Sequence, residues 1–212
     1  NSEKNSIIYT STKHSKKNIY WNLNNDLKNF PIKKVKNCFF FASPRMLNKN
    51  FNNDKFKNEY YWLKNVIKNI KIENFIYVSS SSIYYKKNHK IGRVKRLCET
   101  LILKNKKLFK NYQIWRPFNL VGNNPEYSDH FHIILFNLIF EKKVNTYEFH
   151  GNGLDVRGYS DVNDFVKKLL SYSKKKLSFI MDYGNKNQIT INDMIVLYNK
   201  YYYKKYKKKL IP

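Results

Sequence analysis

Four short segments hold the residues able to do chemistry. FIYVSSSSIY (75–84) ends an apolar run in four serines, and IGRVKRLCE (91–99) sets Lys95 and Glu99 one helical turn apart. WRPFNLVG (115–122) carries Arg116 and Asn119, and GNGLDVRGYSDVND (151–164) carries Arg157 among glycines and aspartates. Serine hydroxyls at a strand end cap backbone groups or meet a ligand. A guanidinium offers a planar fork to a carboxylate or phosphate. An ammonium favours ionisation of an acid beside it. Lys95 is expected to pair with Glu99 along one helix face, with Gly92 at the helix entry. Four residues before Lys95 stands Ile91, a hydrocarbon, which cannot carry a proton. Tyr-x-x-x-Lys does occur at Tyr60/Lys64, Tyr172/Lys176 and Tyr201/Lys205, but none of these has a serine-ended strand upstream.

The elements that must position these residues alternate between strand and helix. Ser6–Thr12 is apolar and β-branched, and Asn18–Leu23 is a second short strand. Val35–Ser43, with Cys38, Phe39, Phe40, Phe41 and Ala42 at its centre, reads as a strand buried on both faces, ended by Pro44. Asn58–Ile70 places Tyr61, Leu63, Val66, Ile67 and Ile70 at helical spacing. Asn74–Ser79 is a buried strand, Lys95–Lys104 a helix and Tyr112–Arg116 a strand ended by Pro117. His132–Phe140 is an apolar helix and Val144–Phe149 a strand. Asp161–Ser171 is a helix, Leu177–Asp182 a strand, and Ile191–Tyr201 a helix begun by the Thr190/Asp193 capping box. The pattern predicts an α/β fold, a Rossmann-type, doubly wound, mainly parallel sheet. The strands Ser6–Thr12, Val35–Ser43, Asn74–Ser79 and Tyr112–Arg116 are expected to be neighbours.

Composition bounds the function. The net charge is +26 over 212 residues, with alanine only at position 42 and arginine only at five. Selection for phosphate binding would not deplete arginine, which reads phosphate better than lysine. Lysine, asparagine, isoleucine, tyrosine and phenylalanine instead reflect A/T-rich coding, so weak, salt-sensitive attraction to polyanions is expected and a specific nucleic-acid site is not. Cys38 and Cys98 suggest no disulfide framework, which points to a reducing cytoplasm. Phe131–Phe140 is too short to span a bilayer, and no signal peptide is visible. The scattered histidines, His130 and His132 included, make no metal site. The sequence begins at Asn1 rather than Met, which suggests that an N-terminal piece lies outside it.

In order and approximate spacing the four segments resemble the extended short-chain dehydrogenase/reductase family, the NAD-dependent nucleotide-sugar epimerases and dehydratases. The resemblance implies that Ser80 holds the sugar oxygen and that Lys95 binds the nicotinamide ribose and activates a tyrosine. That tyrosine's position holds Ile91, which would cost roughly 10²–10⁴-fold in rate; Tyr84 and Tyr85 are the possible substitutes. Asn119 and Arg157 would bind the substrate's sugar and diphosphate, with a salt bridge from Arg157 to Asp161 or Asp164 as the plainer alternative. Arg116 would stabilise its turn, and Asp164 would cap the following helix. Cofactor contacts would come from Lys13, Ala42, Ser79 and Lys95, and Lys13, where an acid would read an NAD ribose, hints at NADP. The family's Gly-x-x-Gly-x-x-Gly is absent from the 212 residues, so an apparently missing first βα unit and poor NAD(P) binding are expected. Residues 1–118 and 161–182 would form the core, and 119–160 and 183–212 a small substrate-binding part. The implied partner is a nucleotide-sugar-like molecule, with a homodimer left open. Against an epimerase/dehydratase-like protein of weakened or lost activity stand a non-catalytic sugar-nucleotide binder and a basic RNA- or membrane-associated protein.

Overall fold

The computed structural model describes residues 9–11, 18–20, 30–43, 57–122 and 151–207. Lys13, and the expected elements His132–Phe140 and Val144–Phe149, lie outside the described residues.

Strand β4 (Lys71–Val78) shows why the sheet is covered on both sides. Phe75, Ile76 and Tyr77 have no accessible surface, yet they serve different cores. Phe75 and Tyr77 pack with Leu63, Val66, Val94, Cys98 and Ile102, whereas Ile76 packs with Trp115, Phe165 and Leu169. Alternate side chains of a strand point to opposite faces, so a continuous apolar run needs a layer above and below. Helices α1 (Lys57–Asn69) and α2 (Lys90–Lys104) supply one layer, and α3 (Val162–Ser173) the other. Each fully buried side chain of this size contributes about 1.5–3 kcal/mol.

Strand β3 (Lys34–Phe40), β4, β5 (Asn111–Pro117) and β8 (Phe179–Tyr183) pair in that order, all parallel. The register sets Val78 beside Trp115 and Arg116 beside Asp182. Three of the expected neighbours are present, although β3, expected to be buried on both faces through Ser43, has only Phe40 buried and ends before the exposed Phe41; the fourth is not. β1 (Tyr9–Ser11) pairs with β2 (Asn18–Tyr20) in a separate two-stranded parallel sheet. A doubly wound sheet of order 3-2-1-4-5-6 has its first strand between the second and the fourth. Among the described residues no ladder joins β1–β2 to β3–β4–β5–β8.

A second, three-stranded sheet follows β5. β6 (Asn119–Val121) pairs parallel with β7 (Val156–Asp161), which pairs antiparallel with β9 (Gln188–Thr190). α4 (Ile191–Tyr206) starts at the expected box, where Thr190 Oγ accepts from Asp193 N at 3.0 Å. No helix among the described residues is long and apolar enough to cross a membrane.

Candidate functional site

Three of the four sequence segments meet where β4, β5 and β8 end. The ladder runs one residue past β4, with Ser79 N donating to Trp115 O at 2.7 Å. Ser80 then turns the chain: it is extended (φ −160°, ψ 151°), and its Oγ accepts from Ser82 N at 3.1 Å, capping the short 3₁₀ turn Ser81–Tyr84. The hydroxyl expected to meet a sugar oxygen thus already holds a backbone amide.

Glu99 on α2 ties the segments together. Its Oε1 accepts from Ser79 Oγ at 2.5 Å and Arg116 Nε at 3.1 Å, and its Oε2 from Arg116 Nη2 at 2.7 Å. This is the bidentate fork that a guanidinium makes and an ammonium does not. Arg116 Nη1 also donates to Tyr84 Oη at 3.0 Å, and that phenol donates to the Asp182 carboxylate at 2.7 and 2.8 Å. Arg116 therefore does more than brace its own turn: it joins α2, the post-β4 turn and β8. Partial burial, followed by the bond to Asp182, pushes the Tyr84 phenol above its ordinary value, while Arg116 opposes the rise. Its bonds to Glu99 push the Arg116 guanidinium up.

Lys95 does not pair with Glu99. Its Nζ lies 2.7 Å from Glu59 Oε1, with side-chain exposures of 8% and 3%. The same Oε1 accepts from Tyr77 Oη at 2.7 Å, and Oε2 accepts from Ser43 Oγ at 2.8 Å. The correction has a physical cause. A carboxylate buried at Glu59 requires a cation, and Lys95 is the one that reaches it, while the Arg116 fork satisfies Glu99. Burial, then the neighbouring Glu59 charge, push the Tyr77 phenol well above its ordinary value.

Ile91 is the second residue of α2 and is half-buried. The helix begins at Lys90, earlier than expected, because His89 Nδ1 accepts from Gly92 N at 3.2 Å. A Cβ on Gly92 would run into Ser82 O, so α2 starts flush against the serine turn. Arg96 clasps the short loop between them, donating to Ile83 O at 2.6 Å, Tyr85 O at 3.2 Å and Lys87 O at 3.1 Å. Tyr84 and Tyr85, the possible stand-ins for a phenol at position 91, are both exposed. Tyr84 is committed to Arg116 and Asp182, and Tyr85 sets its ring edge-on to His89 at 4.7 Å.

Asn119 and Arg157 come together on neighbouring strands of the second sheet. Asn119 stands opposite Tyr159 in register, and its Nδ2 donates to Gly158 O at 3.1 Å. Arg157 pairs with neither Asp161 nor Asp164. It donates to Asp155 Oδ2 at 3.0 Å and to Val156 O at 3.1 Å, and remains partly exposed. The cap of α3 is Asp161, which accepts from Asn163 N and Asp164 N; Asp164 sits in the first turn near Lys167. The link between the two residue groups is Phe118, which stacks on Tyr84 at 6.3 Å immediately before Asn119.

Of the expected cofactor contacts, Ser79 and Lys95 are spent on Glu99 and Glu59, and Ala42 is half-buried just past the end of β3. As placed, Ser79 and Lys95 therefore have their polar atoms engaged by carboxylates of the chain itself. One hollow lies elsewhere, among Lys33, Lys64, Lys68, Lys71, Ile70 and Phe109 at the amino end of the sheet. Open α/β sheets bind ligands outside the carboxyl ends, where the polar groups gather, and a smaller hollow there is lined by Tyr84, Tyr85, Lys86, Asn88 and His89.

Sequence reasoning passed over Glu59 and Asp182. Glu59 left a signal, because it shares the helical stripe of Leu63, Val66 and Ile70, where a charge must be compensated.

No family model matches the chain, and no curated protein matches it. Solved structures do. UDP-glucuronic acid 4-epimerase from Bacillus cereus, in complex with UDP-4-deoxy-4-fluoro-glucuronic acid and NAD, superimposes with a TM-score of 0.69 at 20% identity, over 87% of this chain and 65% of that one. UDP-N-acetylglucosamine 4-epimerase from Bacillus cereus gives 0.70 at 19% identity, over 91% and 70%. ADP-L-glycero-D-manno-heptose-6-epimerase from Helicobacter pylori gives 0.67 at 15%, over 92% and 73%. The chain thus spans 65–73% of the length of these three enzymes. Its fold is the one that these nucleotide-sugar epimerases share.

Proposed function

We propose that this chain is a nucleotide-sugar epimerase/dehydratase-like protein that keeps a sugar-nucleotide cleft and has weakened or lost its redox chemistry. The observation that carries the reading is the convergence of three separated segments on Glu99, through Ser79, Arg116 and, beyond Arg116, Tyr84. That junction lies at the carboxyl ends of parallel strands, where this class of sheet places its ligands. Asn119 and Arg157, on adjacent strands just beyond Phe118, supply an amide and a partly exposed guanidinium for the sugar and diphosphate. Residues 119–160 and 183–212 form the substrate-binding part, and the cofactor class is NAD or NADP.

Loss of chemistry is supported by Ile91, which offers no proton where a phenol would stand beside Lys95. A non-catalytic sugar-nucleotide binder is therefore the second reading, and Ile91 is what favours it.

Calorimetry with UDP-glucuronate, UDP-N-acetylglucosamine and ADP-heptose tests the cleft, and absorbance of reduced NAD(P) tests the chemistry. Binding of at least one sugar nucleotide, lost in Arg157→Ala, is expected, with no turnover and only weak NAD(P) binding by the 212-residue chain. Ordinary turnover abolished by Tyr84→Phe or Tyr85→Phe would show that a relocated phenol does the work. Low-micromolar NAD(P) affinity would contradict the cofactor reading.

A further inference from the structure

We propose that Glu59 locks Lys95 as a structural counter-ion, so that the lysine has left ligand chemistry altogether. The inference rests on placing Lys95 in the cleft read above, and it goes beyond the loss at Ile91. Restoring a phenol there would not by itself restore the lysine's role.

The geometry points one way. Glu59 enters from the first turn of α1 and is almost fully enclosed. Its two carboxylate oxygens accept from three donors on three other elements: Ser43 beyond β3, Tyr77 on β4 and Lys95 on α2. A second ammonium proton points toward Val78 O at 3.5 Å, and the Tyr77 ring lies 5.3 Å from Nζ. Little of the ammonium remains open to an incoming hydroxyl.

Magnitudes decide the competition. A hydrogen bond from the charged Lys95 ammonium to a ribose hydroxyl is worth about 13- to 160-fold in affinity. Separating a buried ion pair strands the Glu59 carboxylate, which costs about 10²–10⁴-fold. A single ribose contact reaches at most the lower end of that cost. The paired carboxylate also offsets the positive charge that would otherwise favour ionisation of a neighbouring phenol.

The test needs no nucleotide sugar, so its failure and a failure of the cleft reading are separable. Brief acetylation of the native chain, read by mass spectrometry, should modify Lys95 at least about 10-fold more slowly than Lys104, which is exposed on the last turn of the same helix. Lys95→Met and Glu59→Gln should each shift the unfolding constant by about 10²–10⁴-fold, and the double variant should recover most of the loss. That recovery separates charge pairing from simple packing, which the double variant would not restore. Acetylation of Lys95 at the rate of Lys104 would overturn the proposal, as would additive losses in the double variant. If either single variant does not fold, a folded double variant supports the lock, and an unfolded one counts against it.

Discussion

Removing the Arg116 guanidinium should cost more stability than any surface ion pair in this chain, and the structure gives the size. Glu99 has a side-chain exposure of 7% and Arg116 one of 20%, so the pair is poorly screened. Arg116→Met leaves the Glu99 carboxylate with Ser79 Oγ alone among the three donors described. Stranding a buried charge in this way costs about 3–5 kcal/mol. Arg116→Lys keeps the charge but gives up one arm of the fork and the bond to Tyr84. A hydrogen bond to a charged group is worth about 1.5–3 kcal/mol, and the exposed Tyr84 bond adds little, so about 2–3 kcal/mol is expected. For a chain of this size each kcal/mol moves Tm by about 2–4 °C. The expected drops are about 4–12 °C for Lys and about 6–20 °C for Met. Thermal unfolding followed by circular dichroism, with urea titration to check that the slope is unchanged, makes the measurement. Arg116→Met combined with Glu99→Gln removes the stranded charge and should regain at least about 1 kcal/mol over Arg116→Met. If Arg116→Lys melts within about 1 °C of the parent, the fork is not what holds α2 to the strand ends, and the reasoning fails.

Further outcomes follow from particular groups. Burial, with the nearby Glu59 charge, pushes the Cys98 thiol up to about 12, so in Cys38→Ser it should stay silent toward Ellman's reagent at about pH 8 until the chain unfolds; prompt reaction of the native protein would contradict its burial. Lys110, bonded to Glu73 at 3.0 Å, holds that carboxyl below its ordinary value of 4.5, with help from Lys34. A depressed carboxyl stabilises the fold above the unfolded value and loses that contribution as pH falls through the folded one. In Lys110→Gln the Glu73 titration, read by NMR, should therefore move up, and the stability gap to the parent should close below about pH 4.5; an unmoved titration refutes the pairing. The +26 charge should give only sequence-blind polyanion binding that disappears between about 0.05 and 0.2 M salt, and sub-micromolar, sequence-selective binding at about 0.15 M salt would overturn the coding-bias reading.

The strands at the centre of the fold were readable because both of their faces are buried. β4 carries the unbroken run Phe75–Val78 and β5 the fully buried pair Ile114 and Trp115, and their expected bounds fall within a few residues of those observed. The start of α2 was hidden because its cap is a histidine imidazole, and because a glycine in the first turn looks like a break rather than a close approach to Ser82. β6 and β9 are three residues each and owe their existence to pairing with β7, which no local pattern announces. The site was legible in its residues and misread in its pairings. Lys95 and Glu99 have the spacing of a helical ion pair, but each finds a better partner across the fold, at a sequence separation of 36 for Lys95–Glu59 and 17 for Glu99–Arg116. Asp182 lies 98 residues from the phenol that it binds.

Arginine use sharpens what the cleft has kept. Of 41 basic residues only five are arginine, and three of these sit where one planar group meets several acceptors or a carboxylate: Arg96 on three carbonyls, Arg116 on Glu99 and Arg157 on Asp155. An ammonium cannot reproduce the first two geometries, so a composition that otherwise favours lysine yields where the fork bears on the fold. The Glu99–Arg116 junction would be needed for stability whether or not the protein turns anything over. Its presence is therefore evidence of architecture and not of catalysis. Activity has to be judged at positions that the fold can spare, and Ile91, a half-buried hydrocarbon in the first turn of α2, is the one on which the proposed loss of chemistry rests. A hydrocarbon there is compatible with a folded helix and carries no ionisable proton.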